Sequence, residues 1–229
     1  MTTKIAGLSS MATRLILGEL ARRYEAASGV RVEIKAMGGV DAARLVRDGA
    51  ATDIVVLASG VMTQLEAEGH ILLGSIRGFA RSGMAIAVRA GAPKPDIGDE
   101  DAVKRAVGAA GKVCYSTGPS GDHLLRLYEK WGLAQTHADR LLKAPAGVPV
   151  GSLVAQGEAD LGFQQLSELI HVPGLEVLGP LPPEIQAVTV FAAGVGVTSV
   201  QPEQTQALID YLTSPETAGV KRDQGMEPA

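Results

Sequence analysis

Four short stretches rich in Gly, Ser and Pro stand where an apolar run gives way to a helical pattern. They are Ser9-Ser10-Met11-Ala12, Gly38-Gly39-Val40-Asp41, Thr117-Gly118-Pro119-Ser120-Gly121 and Pro145-Ala146-Gly147-Val148-Pro149. The first turn of a helix carries unpaired N–H groups and a partial positive charge. Small residues let a ligand come close to that main chain. If several such loops face one cleft, the cleft holds an anion without a basic protein around it.

Each candidate also has a plainer local role. The hydroxyls of Ser9 and Ser10, with the N–H groups from Met11 onward, donate to an oxyanion or cap their own helix. Arg14 falls in the first helical turn, where a cation opposes the dipole; it therefore calls for an anionic partner, a ligand or a carboxylate such as Glu19. Gly38 and Gly39 offer only close main-chain approach, or a tight connection. Asp41 caps its helix, or acts as a base if it turns into the cleft. In the third loop, where Thr117, Ser120 and Gly121 are the candidates, Pro119 fits a first-turn position at no hydrogen-bond cost, so Ser120 and the N–H groups after it point at one spot. His123, one turn further in, reads as a surface, core or catalytic histidine. Arg81, followed by Ser82, suits a carboxylate through its two-pronged guanidinium, or an ion pair between lobes. Val148 contributes from the fourth loop. Gln164 and Gln165 offer neutral donors and acceptors, or a solvated helix cap.

Other chemistries lack their residues. The four histidines are scattered and have no cysteine partners at metal-ligand spacing. Gly108-Ala109-Ala110-Gly111-Lys112 lacks the spacing and the Ser/Thr of a phosphate-binding loop, and no Gly-x-Ser-x-Gly elbow occurs. No metal or cofactor is expected. Cys114, the single cysteine, lies in an apolar run and reads as a buried, inert thiol. The formal net charge of −4, without a Lys/Arg cluster, argues against a nucleic-acid partner. No stretch is long and apolar enough for a bilayer span. Met1-Thr2-Thr3-Lys4 runs straight into an apolar strand with no signal pattern. A cytoplasmic protein is expected; the alternative is a periplasmic one with its signal removed, and only then an importer partner.

The elements that position these loops alternate. Strands are predicted at 4–8, 30–34, 54–57, 84–88, 112–116, 161–163 and 186–193, and helices at 12–27, 41–49, 60–68, 100–108, 121–131 and 149–156. Leu15, Leu17, Leu20, Ala21 and Tyr24 share one helical face. The segment Gly179-Pro180-Leu181-Pro182-Pro183 is predicted to lie outside helix and sheet. Two closing helices start near Pro202 and Pro215, the second capped by Ser214. The alternation points to an α/β fold with parallel sheets. With 229 residues the chain suffices for two lobes: 1–81 plus 188–229, and 82–187.

At these loops the chain resembles the periplasmic molybdate-binding proteins of the type II solute-binding fold. The likeness is carried by Tyr24-Glu25 with Ser28-Gly29-Val30-Arg31-Val32, and by Ala43-Arg44 with Asp48-Gly49-Ala50-Ala51-Thr52-Asp53. It continues through Pro119-Ser120-Gly121, Leu153-Val154, Gly157-Glu158-Ala159-Asp160-Leu161-Gly162, Leu212-Thr213-Ser214-Pro215-Glu216 and Gly225-Met226-Glu227-Pro228. It implies two Rossmann-like lobes, two crossings and a central cleft that closes on an oxyanion. The chain also departs from the family. Gly38, Gly39 and Val40 stand where the family presents serines, Gln165 matches a ligand-binding tyrosine, and the first loop is about two residues out of step. These departures favour a small organic di- or tricarboxylate as the bound anion. One alternative is a cofactor-free isomerase of an unsaturated carboxylate, because a related branch of the fold includes aconitate isomerase. The other is a molybdate or oxyanion importer component whose signal was removed.

Overall fold

The structure, a computed structural model, describes residues 4–145 and 147–229. Contacts divide the chain into two units: one runs up to Arg81 and resumes at Thr189, the other is Ser82–Val188. The first unit begins with β1 (Lys4–Ser10), α1 (Arg14–Ser28), β2 (Arg31–Met37), α2 (Gly39–Arg47), β3 (Ile54–Ala58) and α3 (Ser59–Ala67). The chain then enters the second unit along β4 (Arg77–Arg89). There follow α4 (Glu100–Ala109), β5 (Val113–Tyr115), α5 (Pro119–Lys130), β6 (Leu141–Lys143), α6 (Val150–Ala155), β7 (Leu161–Gln165), α7 (Leu166–Leu169) and β8 (Leu175–Pro180). It returns along β9 (Val188–Val195) and closes with α8 (Pro202–Thr213), α9 (Ala218–Asp223) and β10 (Glu227–Pro228).

The two units are wound alike. In the first, the sheet order is β2-β1-β3-β9, with β1 parallel to both neighbours and β9 antiparallel to β3. In the second it is β6-β5-β7-β4, with β5 parallel to both neighbours and β4 antiparallel to β7. Parallel neighbours require helical crossovers, and a strand lying between its two successors sends those crossovers to opposite faces. Ile16, Leu17 and Leu20 of α1 pack with Ile5 and Val32 on one face, while Ala43 and Val46 of α2 pack with Leu8 and Val55 on the other. In the second unit α5 joins the Val113 and Phe163 cluster, and α6 joins that of Cys114.

An aspartate fastens the start of the winding in each unit. Asp53, just before β3, accepts the Ala6 N–H at 2.9 Å, the Ser199 hydroxyl at 2.6 Å and the Gln201 amide at 3.1 Å. Asp160, just before β7, accepts the N–H groups of Gly111 and Lys112 at 2.7 and 3.0 Å. Gly49 and Gly157 precede them at φ +81° and +83°, the left-handed conformation that ends α2 and α6.

Several boundaries differ from the sequence expectation. Strand β1 continues through Ser9 and Ser10, because these pair with Ala36 and Met37 of β2. Leu15 is exposed, and Ile16 takes its place in the core. The sequence reading missed β6, α7 and β8 and started β4 and β9 at the wrong residues. Pro180 belongs to the sheet after all: it closes β8 opposite Ala85, at a strand end where its missing N–H costs little. Pro183–Ile185 forms a 3-10 turn. Ser214 occupies the N-cap position before Pro215, but its side chain makes no capping bond.

Lys221 of α9 is almost fully buried, with its ammonium 5.0 Å from the centre of the Phe79 ring. Burial pushes its pKa down to about 8. Between that value and the ordinary lysine range of about 10.5, the unfolded chain binds more protons than the native one. Stability therefore rises with pH across this window, by up to about 1.4 kcal/mol per unit, and is flat in this respect below it. Urea titrations from pH 7 to 10 should show the rise in the wild type and its loss in Lys221→Met, which should be the more stable protein at pH 7. Asp53→Ala, which leaves the Ala6 N–H and the Ser199 hydroxyl without acceptors, should cost about 2–3 kcal/mol in the same assay.

Candidate functional site

In the first unit, β1, β2 and β3 each lead into a helical turn at the same sheet edge. Doubly wound sheets take ligands at the C-terminal ends of their strands, where successive crossovers diverge; here that point is the end of β1. Ser9 and Ser10 are buried there. Ser9 Oγ donates to the Ser10 carbonyl at 3.3 Å, and Ser10 Oγ lies 3.4 Å from Thr13 Oγ1. Neither hydroxyl caps the 3-10 turn that Met11 opens, so the capping role does not account for them. Gly38 and Gly39 open α2 beside this point: a Cβ on Gly39 would stand 3.9 Å from that of Ser10. The structure thus brings the first two loops together.

Other first-unit candidates are placed less centrally. Asp41 is half-buried and ion-paired with Arg44 at 3.0 Å. Arg14 is exposed and has no ion-pair partner among the described residues. Glu19, the alternative partner, is held by Arg22 and by Arg23 at 2.8 Å, and these bonds keep its carboxyl below the ordinary range. Arg81 is likewise exposed and without an ion pair among the described residues, its main chain paired with Glu227. The third junction, Ala58 to Ser59 at the start of α3, escaped the sequence reading. Its signal was the Ser59-Gly60 pair after the apolar strand.

In the second unit the strand ends are more tightly built. Gly118 sits at φ +97°, a conformation open to glycine. Gly121 touches the preceding strand so closely that a Cβ would stand 1.8 Å from the Ser116 carbonyl oxygen. Ser120 is buried, and its Oγ lies 3.2 Å from Ser116 Oγ; Thr117 is exposed. His123 is half-buried, with Nε2 2.7 Å from the Ile185 carbonyl oxygen. Gln164 and Gln165 end β7 fully buried, so neither is a solvated cap. Gln164 donates to Glu168 at 2.7 Å. Val148 is exposed and its N–H closes a turn onto the Pro145 carbonyl at 3.0 Å; Ala146 of this loop lies outside the described residues.

Ser82, named from the sequence beside Arg81, is buried where the chain enters this unit. One amide that gave no sequence signal fastens the entry to the exit. Gln186 Oε1 accepts the N–H groups of Met84 and Ala187, both at 2.9 Å, while Nε2 donates to the carbonyls of Met84 and Leu181 at 3.1 and 3.3 Å. Burial pushes the Cys114 thiol up to about 11, which keeps it protonated and inert as expected. Among the described residues no three His, Cys, Asp or Glu side chains form a cluster fit for a metal ion, and no helix is long and apolar enough to cross a membrane.

Two similarly wound α/β units, each entered and left once by a continuous strand, define the type II solute-binding architecture expected from the resemblance. The chain belongs to the bacterial extracellular solute-binding protein family, whose model matches residues 5–227. It is 38% identical to an aconitate isomerase from Pseudomonas sp., over 99% of this chain and 88% of that protein. Its fold is similar to that of the periplasmic molybdate-binding protein of Azotobacter vinelandii, with a TM-score of 0.81, 19% identity and coverage of 97% and 98% of the two chains. It is also similar to the sulfate-binding protein SubI of Mycobacterium tuberculosis, with a TM-score of 0.78, 17% identity and coverage of 99% and 87%.

The junction geometry separates the glycines. Gly121→Ala should lose more than about 3 kcal/mol in denaturant titration, because main chain would have to move. Gly39→Ala should stay within about 1 kcal/mol of the wild type, since its Cβ meets only ordinary contact.

Proposed function

We propose that the protein is a cofactor-free isomerase that shifts the double bond of a small unsaturated polycarboxylate such as aconitate. The observation that carries this reading is the 38% identity to an aconitate isomerase along nearly the whole chain. The residues at the strand ends support it. Gly38 and Gly39 present main chain where the family's oxyanion binders place hydroxyls. The exposed Val40 and half-buried Met11 beside them suit a carbon skeleton better than a bare inorganic ion. Arg14 and Arg81 are available for carboxylates.

The reaction asks little of the protein. A proton leaves the carbon next to one carboxylate and the double bond moves one position. A proton then returns at the far end of the three-carbon unit. One base within hydrogen-bond reach suffices, and helix N-termini stabilise the negative charge that spreads onto the carboxylates. Family membership alone supports holding a small solute; holding an organic di- or tricarboxylate without converting it would use the same anion-binding parts.

Incubation with trans-aconitate in heavy water, followed by proton NMR, separates these readings. The isomerase should yield cis-aconitate and carry deuterium into the methylene position. Calorimetric binding of aconitate without exchange would leave a carrier. Tight molybdate binding with no response to any carboxylate would overturn both.

A further inference from the structure

We propose that His123 is the catalytic base of this isomerisation, held ready by its bond to Ile185. The inference rests on the isomerase reading. A carbonyl oxygen only accepts, so the 2.7 Å contact with Ile185 requires the proton on Nε2. In its neutral form the ring then carries its lone pair on Nδ1, which has no hydrogen-bond partner among the described residues. The bond fixes both tautomer and ring orientation, much as the carboxylate partner does in a catalytic triad.

Position supports the role. His123 stands one turn into α5, behind Gly118 and the close-packed Gly121. Ile185 precedes Gln186, whose amide binds Met84, and Met84 pairs with Gln165, the last residue of β7. The pair therefore lies at the edge where β5 and β7 end. The other histidines sit elsewhere. His70 follows α3, and its carbonyl accepts the Val197 N–H just beyond the end of β9. His137 follows α5 and bonds Thr136 at 2.8 Å, and His171 is exposed beyond α7. Asp41, the carboxylate alternative, is committed to Arg44.

The step balances without a co-reactant. Nδ1 takes a proton from the methylene carbon, and the C–H electron pair becomes the new double bond. The electrons of the old double bond collect the same proton, or one exchanged with solvent, at the opposite carbon. The ring ends neutral.

His123→Gln tests this, because the glutamine amide can still reach the Ile185 carbonyl but offers no base. The variant should lose about a hundredfold or more in kcat, with KM nearly unchanged. Deuterium uptake should fall in parallel, and added imidazole should restore part of the rate. A variant with kcat within about twofold of the wild type overturns the inference and leaves the isomerase intact. So does a rise in KM at unchanged kcat. A wild-type protein that turns over no unsaturated polycarboxylate removes the isomerase reading itself, and this inference with it. Should the variant not fold, nitrogen NMR of wild-type protein labelled in histidine decides: an Nε2–H tautomer whose Nδ1 resonance shifts on adding tricarballylate supports the role. An Nδ1–H tautomer, or an unresponsive Nδ1, contradicts it.

Discussion

Strands β1 and β5 each run parallel to a neighbour on both sides, and this pairing dictates where every unspent helix-start N–H of interest lies. Parallel strands are joined by helices that begin where the strands end, so the open first turns gather at one edge of each sheet. At the opposite edge Asp53 and Asp160 tie the strand starts together and hold the register. The same device recurs at matching points of the two windings. Each edge thereby carries the positive ends of helix dipoles, supplied by main chain alone.

The chemistry available at those edges follows from what was left out of the sequence there. Gly38 and Gly39 supply no hydroxyl, the Asp41 carboxylate is engaged by Arg44, and Cys114 is buried and protonated. Main chain stays available at those edges, with the small hydroxyls of Ser9 and Ser10 in the first unit and the Ser120 hydroxyl and the His123 imidazole in the second.

Much of the fold was legible because it is local. Apolar runs located β1 and β3, the glycines Gly29 and Gly49 marked the ends of α1 and α2, and Pro202 marked the start of α8 as its fixed φ dictates. The failures have long-range causes. Ser9 and Ser10 belong to a strand because β2 extends beside them, 27 residues away in register. Leu15 and Ile16 have equal hydrophobicity for such purposes, and only the sheet beneath decides which is covered. Gln165 reads as a polar cap until its strand is placed in the middle of a sheet. The partner of His123 lies 62 residues along the chain. Nor does any pattern warn that Lys221 is buried against Phe79.

A crystal structure with tricarballylate, which has the three carboxylates but no double bond to move, tests the central claim most directly. Carboxylate oxygens should lie within hydrogen-bond distance of main-chain N–H groups at the junctions after β1 and β2, Met11 and Gly39 among them. A ligand held by side chains away from the strand ends, or crystals that take up none, would contradict the account.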